Sequence, residues 1–209
     1  MKRYLLFMLF LTAFMARGEY ISLKISELIL ESDKIVQGQI ICVDENVVEI
    51  EVQESIGHTS SNLTISKYRN WAFGKRWAAY EVGQTSVFFL HYMDNELSTL
   101  GRENEGEMPV HDNKVYMYTS AISSFGITDD FNRSDRMMED DGFNNPYNGY
   151  TVDLPLFWEA IKIFASCFQC NMNIFGKLTD VHLTCETTDF EESVKKNSLL
   201  NWAYRQLKI

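Results

Sequence analysis

The chain has 209 residues, is 45% hydrophobic and 23% charged, and carries a formal net charge of −10. This composition supports a packed core and excludes a disordered or low-complexity chain. The acidic balance excludes a general affinity for nucleic acid, because a net negative field repels phosphate backbones.

The first element is MKRYLLFMLFLTAFMARGEY. Lys2 and Arg3 make a positive start, Tyr4 to Met15 an apolar run, and Ala16-Arg17-Gly18 a small-x-small cleavage site. That order is the pattern of a secretory signal. The run is short for a bilayer span and no second long apolar run follows, so integral membrane insertion is not expected. Residues 1–18 therefore read as a signal peptide, with cleavage near Gly18 and a periplasmic or secreted mature chain. Removing this segment takes away three cations and no acid, which makes the mature chain more acidic still.

Residues 21–31, ISLKISELILE, place Ile21, Ile25, Leu28 and Ile29 at helical spacing, and Ser32-Asp33 ends the stripe. KIVQGQIICV and VVEIEVQES alternate with period two around Asp44-Glu45-Asn46, which predicts a β-hairpin. Gly38 in mid-strand predicts a bulge or sharp bend. On this strand Cys42 shares a face with Val36 and Ile40 and reads as a buried free thiol. Further strands follow at NLTISKY (62–68), TSVFFLHYM (85–93), ELSTLG (96–101) and KVYMYTS (114–120), with turns at Val82-Gly83-Gln84 and Asp94-Asn95 and a polar loop over 102–113. Short strands at regular spacing after one helix predict an α+β, mainly β fold, a small antiparallel barrel or sandwich. Closure into a barrel removes exposed edges, so a barrel with a C-terminal helical appendage is the expectation.

Residues 121–152 are acidic and aperiodic and read as a linker or long loop between a barrel domain at 19–120 and the appendage at 153–209. Asp129, Asp130, Asp135, Glu139, Asp140 and Asp141 supply hard oxygen ligands but miss the spacing of a calcium loop. DLPLFWEAIKIFASCF (153–168) is helical, with Pro155 in the first turn, Asp153 near the cap, and Phe157, Ile161, Phe164 and Phe168 inward. KLTDVHLTC (177–185) reads as a short strand or an extended segment. Thr188-Asp-Phe-Glu191 reads as a capping box before a last helix over 189–207, which packs through Val194, Leu199, Trp202, Tyr204 and Leu207.

Four cysteines remain for chemistry: Cys42, Cys167, Cys170 and Cys185. Cys167-Phe-Gln-Cys170 falls at the C-terminal end of a helix, where the dipole disfavours thiolate, so redox catalysis is not the expectation. A structural disulfide is, with Cys185 as the partner and Cys167 preferred over Cys170. A zinc site from Cys167, Cys170, His182 and Cys185 has spacing outside the usual structural patterns. None of the four histidines lies in H-E-x-x-H, and no nucleophile elbow, P-loop or dinucleotide fingerprint is present. No cofactor or resident metal is expected. Asn62-Leu-Thr64 and Asn132-Arg-Ser134 match the N-glycosylation triplet.

NWAFGKRW (70–77) concentrates aromatics and cations. Exposed, Trp71, Arg76, Trp77 and Tyr80 would make a ligand-binding patch for a sugar or a protein. Buried, they would close the open end of the barrel, with Arg76 stacked on an indole. Large aromatics are mostly buried, which favours packing over ligand contact.

ESDKIVQGQIICVDENVVEIEVQES, NLTISK, YEVGQTSVFFLHYMDNELSTLG and EGEMPVHDNKVYM together resemble the netrin-like barrel of the tissue inhibitors of metalloproteinases, over roughly residues 33–118. The resemblance implies a five-stranded barrel of the oligonucleotide/oligosaccharide-binding (OB) type. The inhibitors chelate the protease zinc through an N-terminal cysteine. Here the expected start is Glu19-Tyr20-Ile21, so that mechanism is not implied. Most of the chain is also similar to exported proteins of Bacteroidetes that share a W…RW…Y..GQ…FL pattern, which implies export and no particular activity. The expectation is an exported, non-catalytic binding protein whose partner is a protein or glycan. The alternatives are a thiol- or metal-dependent enzyme using Cys167, Cys170 and His182, and an inhibitor of secreted proteases.

Overall fold

The computed structural model describes residues 22–57, 60–70, 76–102, 104–117, 131–133, 150–172 and 178–208. The expected signal segment, Trp71 and most of the acidic stretch lie outside these residues. The elements are α1 (Ile25–Glu31), β1 (Lys34–Val43), β2 (Val47–Ile56), β3 (Asn62–Ser66), β4 (Thr85–Met93), β5 (Glu96–Thr99), β6 (Glu107–His111), β7 (Lys114–Met117), β8 (Asn132–Arg133), β9 (Tyr150–Asp153), α2 (Leu154–Cys167), β10 (Phe168–Met172), β11 (Leu178–Leu183), α3 (Thr187–Lys196) and α4 (Ser198–Arg205).

Nine of the described strands join in one antiparallel sheet of order β3-β2-β1-β4-β6-β7-β9-β8, with β5 paired to β4. The fold is α+β and mainly β, as expected. The β3 end curls back toward β5, where the Ser66 hydroxyl donates to Glu96 at 2.7 Å. Among the described residues no ladder joins β3 to β5, so the sheet is not closed by backbone pairing.

Two bulges help produce the curl. Gln37 pairs with Glu54 and Gly38 with Val52, leaving Gln53 as the extra residue on β2. At this point the chains approach closely: a Cβ on Gly38 would collide with Ile50 Cγ2 and stand 2.7 Å from the Glu51 carbonyl oxygen. The bulge expected at Gly38 is present. The second leaves Ile41 unpaired between Ile40 and Cys42 and reverses the facing of the strand beyond it. Val43 turns inward and Cys42 outward, so the thiol expected to be buried is exposed.

The sheet is buried on both faces along β4, which explains why TSVFFLHYM is almost continuously apolar. Phe88 and Leu90 point into the curl with Val36, Ile40, Val48, Ile50, Ile65 and Leu97. Val87 and Phe89 point the other way, into a larger core with Ile25 and Leu28 of α1, Phe157, Ile161 and Phe164 of α2, and Leu199 and Trp202 of α4. The C-terminal helices thus pack on the outer face of the sheet together with α1. The Gln53 bulge hands β2 from one core to the other, so that Ile56 packs against the helical one. Phe168, Phe190 and Tyr204 stack edge and face within 5.8 Å of one another and tie β10, α3 and α4 together.

Several segments differ from expectation. EMPVH, read as loop, is β6 between β4 and β7. Pro109 obscured it. Phe89 N–H donates to Gly106 O, and the antiparallel alternation then puts Pro109, opposite Ser86, where its nitrogen owes β4 no hydrogen bond. Tyr150–Asp153, mostly within the expected linker, is β9, and Asn132–Arg133 within it is β8. The last helix is two helices, α3 and α4, broken at Asn197. The Asn197 side chain accepts from Leu200 N–H at 3.0 Å and so starts a new helix mid-run. The capping box at Thr188–Glu191 is not formed, because α3 already begins at Thr187 with Glu186 as its cap. α2, with Pro155 in its first turn and its inward stripe buried, is as expected, although Asp153 at the cap makes no side-chain bond.

Candidate functional site

The described end of the aromatic-basic segment, from Arg76 to Tyr80, is held by one buried carboxylate. Glu107, at the start of β6, has a fully buried side chain and the Arg76 side chain is 1% exposed. Arg76 Nε donates to Glu107 Oε2 at 2.8 Å and Nη2 to Oε1 at 2.5 Å, a bidentate pair. Trp77 Nε1 (3.1 Å), Ser86 Oγ (3.2 Å) and Asn104 Nδ2 (3.4 Å) donate to the same carboxylate. The remaining guanidinium nitrogen donates to the carbonyls of Ala78 (2.8 Å) and Ala79 (3.0 Å). A buried ion pair is tolerated when its lone pairs and protons are met in this way.

The rings lie on the cation. The guanidinium carbon is 3.8 Å from the centre of the Tyr80 ring and 4.7 Å from that of Trp77. Tyr80 Oη accepts from Tyr68 N–H at 2.9 Å, and Arg76 N–H donates to Asn70 Oδ1 at 2.8 Å. Burial raises the Tyr80 phenol above its ordinary range and the Glu107 charge adds to this, so Tyr80 is neutral at physiological pH. Of the expected patch, Arg76 is inside and its donors are engaged, while Trp77 and Tyr80 are half-buried against it. Residues 76–80 are therefore pinned to the sheet by charge and aromatic stacking. The signal sequence reasoning missed is Glu107, whose role was hidden because EMPVH did not read as a strand.

The cysteine cluster is arranged for structure. Cys167, the last residue of α2, is disulfide-bonded to Cys185, with Cα atoms 4.8 Å apart. Cys170 is a free, half-buried thiol on β10 that donates to Leu30 O at 3.4 Å. Burial pushes this thiol up, and the Glu31 carboxylate adds to that. Gln169 pairs with His182 and Cys170 with Val181, so His182 and Cys170 project from opposite faces of the β10–β11 hairpin. The enzyme alternative needs Cys167, Cys170 and His182 together, and the hairpin separates them. Among the described residues no group of three or more His, Cys, Asp or Glu side chains is placed to share a metal.

No helix of the described residues is long and apolar enough to cross a membrane. Asn62 and Thr64 of the first glycosylation triplet are exposed on edge strand β3, where Asn62 Nδ2 donates to Glu49 at 2.9 Å. Comparison of the chain with protein-family models, with curated proteins and with solved structures finds no match.

Proposed function

We propose that the chain is an exported, non-catalytic binding protein, resident in the periplasm or secreted, built on an OB/netrin-like barrel. The observation that carries this reading is the pinned loop. Five donors converge on Glu107 to fix Trp77 and Tyr80 against Arg76 at one side of the curled sheet. Aromatic side chains fixed before contact lose little entropy on binding, which is how a contact surface is pre-organised. Within the patch, Arg76 acts as the anchor, and Trp77 and Tyr80 present the contact edge to a protein or glycan.

The barrel reading is supported by the two bulges, the inward-facing core of the curl and the approach of β3 to β5. The non-catalytic reading is supported by a disulfide that takes up Cys167 and by the opposed faces of Cys170 and His182. The experiment is affinity retention from a Bacteroidetes envelope fraction on immobilised wild-type protein and on Trp77→Ala, with folding of both checked by circular dichroism. The reading expects a protein or glycan retained by wild type and lost by the variant. Absence of any retained species at micromolar bait sinks it.

A further inference from the structure

β10 and β11 form a two-stranded sheet apart from the main one, and β11 has no second strand neighbour among the described residues. Thr184 N–H donates to Cys167 O at 2.8 Å, which makes Thr184 and Cys167 a hydrogen-bonded pair. Alternation along the ladder then gives His182 and Asp180 the bonds to Gln169 and Asn171. The N–H and C=O groups of Val181 and Leu183 point the other way, off the hairpin, and meet no partner among the described residues. Beyond β10, no other described element runs along β11. The strand is not blunted as exposed edges usually are: Leu178–Leu183 holds no proline and no lysine. The main sheet offers less, since β3 curls toward β5 and β8 is two residues long.

The side chains decide what pairs there. Val181 and Leu183 pack toward the helical core, while Asp180 and His182 share the exposed face, with His182 Nδ1 4.0 Å from Asp180 Oδ2. A strand laid antiparallel on this edge, with one residue opposite Val181, puts its flanking residues opposite Asp180 and His182. It must therefore offer a donor beside Asp180 and an acceptor beside His182. The segment Asp180-Val181-His182 offers both to itself. Turned about a two-fold axis through a pair of Val181 residues, Asp180 faces His182 of the second copy and His182 faces its Asp180. The two valines exchange both backbone bonds at the centre. We propose that β11 pairs antiparallel with β11 of a second copy, joining two hairpins into one four-stranded sheet. An unrelated extended strand gains the backbone bonds but matches these two side chains only by chance. Imidazole and carboxylate hydrogen-bond whether or not the ring is charged. The contact is short, so the dimer is weak and concentration-dependent. Pairing uses up the free edge of each copy, so assembly closes at two.

The test is sedimentation velocity on the full chain at micromolar to near-millimolar concentration, where a monomer–dimer equilibrium is expected. Val181→Pro removes the N–H at the centre of the new ladder and none that β10 uses, so it should weaken the dimer about tenfold or more. Asp180→Lys sets a cation opposite His182 of the second copy, and His182→Glu sets a second acid opposite its Asp180. Each should weaken the dimer by about the same factor. Both positions are exposed, so these two variants keep the test valid where Val181→Pro fails to fold. Combining Asp180→Lys with His182→Glu exchanges the signs at both places and should restore the dimer. Hydrogen exchange at the Val181 amide should slow as the dimer forms. Trp77→Ala should leave the equilibrium unchanged, so this edge and the Trp77 patch stand or fall separately. A chain that stays monomeric, assembly beyond two copies, a dimer indifferent to all three single variants, or a double variant no better than the singles overturns the proposal. The first of these leaves the edge to a strand of another protein.

Discussion

Replacing Arg76 by methionine removes the cation from a buried pair and leaves Glu107 charged in the protein interior. Both side chains have 1% exposure or less and meet through two hydrogen bonds of 2.8 and 2.5 Å. Breaking such a pair at one end costs about 3–5 kcal/mol, because the surviving charge keeps its desolvation penalty without its partner. Three neutral donors, Trp77, Ser86 and Asn104, still face Glu107, which argues for the lower half of that range. Glu107→Met should cost a similar amount, since it strands the guanidinium. The double variant should cost only about 1–3 kcal/mol, chiefly from the orphaned Trp77, Ser86 and Asn104 donors. The coupling between the two sites is then about 3 kcal/mol or more. Urea unfolding of wild type, both single variants and the double variant measures it, provided the slope with denaturant stays constant. A single-variant cost under about 1 kcal/mol, or strict additivity of the two, would refute the view that this pair pins the loop.

Other expectations follow from the same geometry. Burial, with Glu27 adding, raises the Glu31 carboxyl from 4.5 to about 7 in the folded chain. The folded value lies above the unfolded one, so its favourable contribution is complete below pH 4.5 and is lost as pH rises through 7. The ceiling is about 3.4 kcal/mol, cut by solvent around this half-buried group to about 1 kcal/mol. Glu31→Gln should therefore stabilise the protein by about that much at pH 8 and change little at pH 4, as read by denaturant midpoints at the two values. Reduction of Cys167–Cys185, which spans 18 residues, should cost about 2–4 kcal/mol in unfolding experiments. Thiol labelling of the oxidised protein should modify exposed Cys42 quickly and Cys170 slowly, with neither Cys167 nor Cys185 labelled. Gly38→Ala should cost about 1–3 kcal/mol in melting or denaturant experiments, since its Cβ has no room beside Ile50 and the Glu51 carbonyl.

Much of the fold was legible where periodicity and turn chemistry agreed. The β1–β2 hairpin, β4 and α2 were read close to their bounds, and the Asp94-Asn95 turn has positive φ at both residues, 52° and 66°. The same chemistry recurs at Asp112-Asn113, with φ of 49° and 60°, and would have revealed β6 had Pro109 not argued against a strand. Cys42 was misplaced because period two holds only until a bulge, and nothing in IICV marks Ile41 as the extra residue. Asn197 is hidden because the apolar positions Val194, Leu199 and Trp202 run past it, although an asparagine is a better cap than a helix-interior residue. The disulfide was legible, since a helix end and the segment after a returning strand bring Cys167 and Cys185 together. The partner of Arg76 was not. A lone glutamate thirty-one residues away has no local signature, and only the strand register of β6 against β4 brings it beneath the loop.

In the proposed function, Trp77 and Tyr80, held against Arg76, bind a partner outside the cell without catalysing a reaction on it. The most direct measurement of this is quantitative mass spectrometry of what immobilised protein retains from an envelope fraction, compared between wild type and folded Trp77→Ala. One protein or glycan species should be retained by wild type, depleted about tenfold or more by the variant, and recovered chemically unchanged. Equal retention by both proteins, or recovery of the species cleaved or oxidised, would contradict it.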